Sequence, residues 1–370
     1  MRSLTGWVVA AGIGTTHAVG ALRGDLADLQ VYLGSVGVLA HGGSPYDFAA
    51  DNGDPFTYPP FAGLVLLPLS YLPQSGVRLM WTVATLAAIG AIAWLAAPSR
   101  RVGGWLAAAL VATAPGSSNL RLGQISVFIS LLVLVDCLDR VPPRWHGVAT
   151  GLAAAVKLTP LAFLPYYWFT GRRRAAVVGA LTFATATTLA TAVLPRDSVR
   201  FWFTELWRTR RIGDLAQTGN QSLNGMAQRL SVDAPLLVGV VALVVLLIAY
   251  RRASVVADPL AGAIIVGAAA LLASPVSWSH HQVWLVLAAV CVPAVWSAAI
   301  VLLMVLPLPA IGDVLPTPLA AVPDNARVLL ALLVVIALGA RHGSGDIPRQ
   351  RTVSRSWQPW TSRTATPPTP

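Results

Sequence analysis

Long apolar runs alternate along this chain with short polar breaks, and most of the breaks carry arginine. Runs at 4–22, 77–97, 175–194, 234–250 and 326–340 are about 15–21 residues long, the length of a bilayer-spanning helix. Shorter runs at 105–115, 125–138 and 259–273 read as further helices, and 282–311 holds two more. The 105–115 and 125–138 runs pair as a hairpin with an outer turn at 116–124. The run 147–169 lies between two basic clusters, so it crosses twice or re-enters. Lys157 and Pro160 stand at its middle, where a break belongs. Pro59, Pro60, Pro68 and Pro73 bound the stretch 59–72, which reads as lying along or dipping into the outer leaflet. Roughly ten to twelve membrane segments are expected, and the fold class is an all-α polytopic integral membrane protein.

The arginines orient these segments. Arg100-Arg101, Arg140 with Arg144, Arg172-Arg-Arg174, Arg251-Arg252 and the stretch from Arg341 mark the cytoplasmic side. Both termini then lie in the cytoplasm, and 23–76, 116–124, 195–233, 274–281 and 312–325 lie outside a plasma membrane. No Ala-x-Ala cleavage site precedes Arg23, so the first run reads as a retained helix rather than a signal peptide. Residues 1–341 are expected to form one membrane domain, with 23–76 as its first extracytoplasmic loop. Residues 342–370 are basic and rich in Ser, Thr and Pro, and read as a disordered cytoplasmic tail.

Composition agrees. The chain is 55% hydrophobic and only 11% charged, against about 25% charged in a soluble domain. A net charge of +11 suggests nucleic acid, but its placement in short loops points to membrane orientation instead, and no nucleic-acid partner is expected. Cys137 and Cys291 both lie inside apolar runs, so a disulfide framework is not expected.

Uncommon polar residues collect on the outer side. They are Asp25 and Asp28, the turn Gly116-Ser-Ser-Asn119 with Arg121 and Gln124, the loop Gly219-Asn-Gln-Ser222, and Ser274-Pro-Val-Ser-Trp-Ser-His-His281. Carboxylates, amides and histidines gathered on one face of a membrane protein point to a site there. Asp28 opens a run with Leu29, Tyr32, Leu33, Val36, Leu39 and Ala40 at helical spacing. It reads either as the N-cap of that helix or as a general base beside the bilayer. Asp25 is its competitor, while Asp51 and Asp54 suit a turn around Gly53. His280 and His281 fit either an interfacial anchor with Trp278 and Trp284 or a phosphate-binding pair. A metal is not expected, because adjacent histidines diverge on a helix and no acidic partner is close in sequence.

Lys157, the only lysine among 26 basic residues, lies deep in an apolar run. Such a residue either snorkels to a headgroup or serves function. The segment 199–212 mixes Phe201, Trp202, Phe203 and Trp207 with Arg200, Arg208, Arg210 and Arg211, and reads as an interfacial helix facing a phosphate-bearing partner. Asn220-Gln-Ser222 has the form of a glycosylation sequon, which alone carries no weight. P-loop, dinucleotide and Asp-x-Asp patterns are absent, so an activated sugar reaching an outer site would be lipid-linked.

Asp28-Leu-Gln-Val-Tyr32, Gly43-Ser-Pro-Tyr46 and Phe56-Thr-Tyr-Pro-Pro60 resemble the opening of glycosyltransferase family 87, polyprenyl-phosphate-sugar-dependent enzymes of the GT-C superfamily. Leu122-Gly-Gln124, Val156-Lys-Leu-Thr-Pro160, Gly219-Asn-Gln-Ser-Leu223 and Ser274-Pro-Val-Ser-Trp278 with His280-His281 continue the resemblance, over about residues 5–341. It implies a GT-C fold with outer-leaflet juxtamembrane helices and an inverting transfer of mannose from a polyprenyl-phosphate donor to a glycolipid or lipoglycan. The bond formed is expected to be α-1,2; transfer of arabinofuranose is the alternative. The resemblance assigns Asp28 as base and a histidine of the pair to the donor phosphate; Arg121, Arg229 and Lys157 are further candidates to meet that phosphate. Tyr32, Tyr46, Tyr58, Gln124, Asn220, Gln221 and Trp278 are the expected substrate-binding residues. No cofactor is expected, and membrane lipids surround the protein. A lipid-linked sugar transporter is the reading from another class, but it calls for polar groups reachable from both sides. A non-catalytic assembly partner would leave the clustered Asp, Asn, Gln and His without a role.

Overall fold

In a computed structural model describing residues 4–339, helices account for nearly every element; among those residues the only β pairing is an isolated bridge between Ala49 and Pro55. Chain order begins with α1 (Thr5–Arg23), α2 (Ala27–Ala40), α3 (Pro60–Leu66), α4 (Gln74–Ala96), α5 (Arg100–Ala112) and α6 (Ala114–Leu122). Then come α7 (Ser126–Cys137), α8 (Val148–Val156), α9 (Phe163–Phe169), α10 (Arg173–Val193), α11 (Pro195–Phe203) and α12 (Leu223–Arg229). The last are α13 (Pro235–Val255), α14 (Pro259–Ala273), α15 (Val283–Leu287), α16 (Ala294–Val305), α17 (Leu308–Gly312) and α18 (Thr317–Ala337). The proposed tail falls outside the described residues.

Four stretches, Gln74–Ala96, Arg173–Val193, Pro235–Val255 and Leu319–Ala337, are long and apolar enough to cross a bilayer. The α13 helix leaves Leu236, Leu243 and Leu247 exposed along its length. A continuous apolar face of that kind is stable against lipid and a liability in water. The other apolar helices are shorter; among them α14 packs against α13 and α18, and α7 against α4. Close approach is bought with small residues: a Cβ on Gly6 of α1 would stand 2.6 Å from the backbone of Gly104 on α5.

The 147–169 run folds back on itself as a helical hairpin. Helices α8 and α9 both pack on α10, and Thr150 and Tyr167 hydroxyls meet at 2.7 Å across the pair. At the open end, Arg172 donates to the carbonyls of Asp136 and Cys137 at 2.7 and 3.1 Å and also pairs with Asp139. The turn comes at Lys157, whose backbone is extended (φ −148°, ψ 126°). Pro160 cannot donate to continue α8, and a 3-10 turn, Thr159–Ala162, leads into α9. Nine residues of α8 rise about 14 Å, roughly half of a ~30 Å hydrocarbon core. The hairpin therefore lifts Lys157 to its tip.

Two expectations are corrected. The stretch 116–124 is not a turn throughout: 116–122 belongs to α6, which has Pro115 in its first turn and is capped by Gly123 in the left-handed region (φ +69°). The stretch 312–325 is not a loop throughout, because α18 starts at Thr317 and runs through Pro323. Gln221 accommodates the irregularity by accepting from the N–H groups of Arg327 and Val328, both at 3.1 Å.

Candidate active site

Asp28 stands in the first turn of α2, one residue inside Ala27. The N-cap position is held by Leu26, with no side-chain cap bond, so Asp28 is not the cap. Leu26 is buried and left-handed at φ 50°, a strained conformation for a branched side chain. It is held against Gly123, where an added Cβ would lie 2.7 Å from the Leu29 side chain. This close crossing of α2 by the end of α6 brings Gln124 to Asp28.

Burial is the main reason that the Asp28 carboxyl is pushed up to about 6; the Gln124 amide and the charges of Lys157 and Arg121 draw it back down. Its Oδ2 is buried and has no hydrogen-bond partner. The buried hydroxyls of Tyr32 and Tyr58 meet at 2.8 Å, and both lie within hydrogen-bond distance of Gln124 Oε1, at 3.1 and 3.3 Å; one hydroxyl donates to the other, which donates to the amide oxygen. Behind them Tyr46 donates to the Tyr58 carbonyl at 2.9 Å and stacks on Phe201. Tyr46 is thus a prop for Tyr58.

The hairpin tip arrives from the other side. Lys157 Nζ lies 2.8 Å from His281 Nε2 and 3.2 Å from Ser126 Oγ, and 5.2 Å above the Tyr58 ring. An ammonium has only donors, so His281 Nε2 accepts and its ring proton sits on Nδ1. The two histidine rings meet edge to face at 4.3 Å. Burial, then the charges around them, holds both imidazoles well below their usual range, so both are neutral. His280 Nε2 is buried without a partner. The histidine loop is pinned to α6, because Asn119 Nδ2 donates to the His280 carbonyl at 2.8 Å. Arg121 is exposed, close enough for its charge to act on both Asp28 and His280.

From Lys157 and His281 a cavity runs between α7, the 3-10 turn and α14, lined further in by Ile129, Val133, Phe163, Leu271 and Trp284. One end is cationic and polar, and the rest is apolar. That arrangement suits an anionic head on a hydrocarbon tail. Among the described residues no three His, Cys, Asp or Glu side chains gather as metal ligands.

Other expected residues lie elsewhere. Asp25 is exposed, in a surface recess with Arg23 and Arg78. Asn220 accepts from Ser277 N–H at 2.8 Å and donates to the Leu215 carbonyl at 3.0 Å. Gln221 donates to the carbonyls of Thr218 and Asp324. Arg229 forks onto Asn325 at 3.1 and 2.7 Å and reaches the carbonyls of Gln217 and Asn220. These three side chains stitch the 213–222 loop to its neighbours instead of joining the Asp28 cluster. Trp278 lies against Gly213 and Gly219 of that loop. Two of the arginines expected to meet a phosphate are neutralised internally: Arg200 pairs with Asp47 and Glu205, and Arg211 with Glu205. Sequence reasoning overlooked Ser126 and the buried Glu205. Ser126, two residues past Gln124 at the start of α7, was the one with a local signal.

Residues 56–275 match glycosyltransferase family 87. A "Polyprenol-phosphate-mannose-dependent alpha-(1-2)-phosphatidylinositol mannoside mannosyltransferase" of Mycobacterium tuberculosis is 32% identical over 345 residues, covering 82% of this chain and 81% of the relative. Two proteins named as the corresponding pentamannoside mannosyltransferases are also similar. That of Mycolicibacterium smegmatis is 35% identical over 71% of this chain and 68% of its own. That of a second Mycobacterium tuberculosis strain is 36% identical over 71% of this chain and 65% of its own. No solved structure matches the chain. An all-helical polytopic membrane architecture and these similarities agree, and the chain belongs to glycosyltransferase family 87.

Proposed function

We propose that this protein transfers a mannosyl residue from polyprenyl-phosphate-mannose to a phosphatidylinositol-mannoside-type glycolipid, forming an α-1,2 bond with inversion at the outer face of the plasma membrane. The observation that carries the reading is convergence. Lys157 and His281, 124 residues apart, meet at 2.8 Å at the polar end of an apolar cavity, and the charge of Lys157 acts on Asp28. The names of the similar proteins supply the donor and acceptor class.

In this reading the polyprenyl tail lies along Ile129, Phe163, Leu271 and Trp284, and the phosphate meets Lys157 and the histidine pair. Asp28 takes the proton of an acceptor hydroxyl as that oxygen bonds to the anomeric carbon. The bond from that carbon to the phosphate oxygen breaks, and its electron pair leaves with the phosphate. Lys157 stabilises the charge that develops there, aided by neutral imidazole N–H groups and by Arg121. The phosphate is a good leaving group, so no general acid is required. Asp25 is the alternative base, and its exposure makes it the weaker one.

The test is turnover by purified protein with polyprenyl-phosphate-mannose and a phosphatidylinositol mannoside, with the product linkage read by NMR. Asp28→Asn is expected to lose about 10²–10⁴-fold in kcat, and Asp25→Asn far less. Wild-type turnover by Asp28→Asn would sink the base assignment. A product with another sugar or linkage would sink the substrate assignment.

A further inference from the structure

Four groups with a proton to give surround the carboxamide oxygen of Gln124. They are the hydroxyls of Tyr32 at 3.1 Å, Tyr58 at 3.3 Å and Ser126 at 3.2 Å, and the backbone N–H of Ile125 at 3.1 Å. Because Tyr32 and Tyr58 share one hydrogen bond between themselves, three of the four can donate to that oxygen at once. The three hydroxyls could turn to suit either end of an amide, but the Ile125 N–H can only donate. The atom facing it is therefore the oxygen, and this defines which way the amide lies. Turning the amide over would set its N–H₂ against that N–H and strand a buried donor. The N–H₂ is consequently left on the side where Asp28 lies. Asp28 Oδ2 is buried there with no hydrogen-bond partner.

We propose that Gln124 is a positioning residue for the base: with its oxygen held by the Ile125 N–H and the neighbouring hydroxyls, its N–H₂ holds one oxygen of Asp28 and leaves the other for the acceptor hydroxyl. This rests on the reading of Asp28 as base. It moves Gln124 from contact with sugar to control of the group that takes the proton. Tyr32 and Tyr58 become the outer ring of the same device, and their burial keeps their hydroxyls on Gln124. Leu26 and Gly123 serve it from below, because their close packing sets α2 against the end of α6.

Several charged or titratable groups face Asp28 besides Gln124. Tyr32 comes from its own helix, Tyr58 and Asp54 from the first loop, Arg121 from α6 and Lys157 from the hairpin tip. All of them remain when Gln124 alone is changed. A donor to a carboxylate favours its ionised form, so removing the donor moves the titration of the base upward.

The experiment is the pH profile of kcat/KM for the acceptor, in wild type, Gln124→Met, Gln124→Glu and Tyr58→Phe, with Asp28→Asn alongside. Gln124→Met is expected to move the acid limb up by about one pH unit, giving a roughly tenfold deficit on that limb that narrows as pH rises. Gln124→Glu keeps the shape but sets a second carboxylate against the first, and is expected to move the limb at least as far. Tyr58→Phe removes one hydroxyl from around the Gln124 oxygen, leaves that of Tyr32 to donate there, and is expected to move it least. If Gln124→Met fails to fold, the isosteric Gln124→Glu carries the comparison. An acid limb at the wild-type position in the folded Gln124 variants overturns the proposal, however much their rates fall, since a merely structural side chain would lower rate without moving the limb. Wild-type turnover by Asp28→Asn overturns the base reading and this assignment with it. Loss in Asp28→Asn with an unmoved limb overturns this assignment alone.

Discussion

Lys157 Nζ and His281 Nε2 lie 2.8 Å apart, with 124 residues of chain between them. One comes from the tip of the α8–α9 hairpin and the other from a 3-10 turn, Ser279–His281, after α14. Neither element alone makes a site. Their meeting gives the apolar cavity a cationic end and sets the position of a donor phosphate in the proposed reaction.

Lys157→Met should therefore lower kcat/KM for the lipid-phosphate donor by about 10²-fold or more, the scale of removing one group that stabilises developing charge. Lys157→Arg should recover little, because the tip is packed around a single nitrogen held by Ser126 and His281. Steady-state kinetics with varied donor checks this. A Lys157→Met enzyme within threefold of wild type would remove Lys157 from the chemistry.

The pH dependence follows from Asp28, whose burial raises its carboxyl to about 6. A base works only when ionised, so kcat/KM should climb through that value and level off near neutrality. Below it, each pH unit should cost about tenfold. A profile flat down to pH 4 would contradict a buried carboxylate base.

The ion cluster around Glu205 should matter for folding before chemistry. Its side chain is 1% exposed, between Arg200, 35% exposed, and Arg211, 18% exposed. Arg200 also donates to the Tyr46 carbonyl at 3.1 Å, tying the α11 segment to the first loop. Glu205→Gln leaves the Arg211 charge half-enclosed without its counter-ion. Breaking a fully buried pair costs 3–5 kcal/mol, and the partial exposure here brings the expectation to roughly 2 kcal/mol. Thermal unfolding in detergent reads it, and adding Arg211→Met should restore part of the loss.

Gly123→Ala tests the crossing that seats Gln124. The position needs φ +69°, and a Cβ there would stand 2.7 Å from that of Leu29. Strain and overlap together should destabilise the fold by about 1–3 kcal/mol. Turnover should fall further than the folded fraction does, because α2 and α6 must separate. Equal losses in both would mean that the crossing serves stability alone.

Much of the architecture was legible in the chain because lipid imposes a strong one-dimensional rule: a span must be apolar over its whole length and must satisfy its own backbone. The runs containing α4, α10, α13 and α18 followed from that rule, and so did a break at Lys157 and Pro160, since proline cannot extend α8. Gly116-Ser-Ser-Asn119 read as a turn because those residues favour turns locally. Tertiary packing overrode that preference and carried α6 through them. Asp28 stood out by being a carboxylate beside a membrane helix.

Partnership was another matter. Whether Asp28 capped a helix or faced a site depended on Leu26 taking the N-cap. Whether Arg200 and Arg211 awaited a phosphate depended on Glu205 folding between them. Asn220, Gln221 and Arg229 looked like ligand-binding residues until their hydrogen bonds were found on Ser277, Asp324 and Asn325. Residue type and spacing by themselves determined that this is a helical membrane protein with acid, amide and imidazole chemistry. Only the tertiary structure decided which groups are free and which are satisfied internally, because hydrogen bonds and ion pairs form between elements far apart in sequence, where local periodicity carries no information.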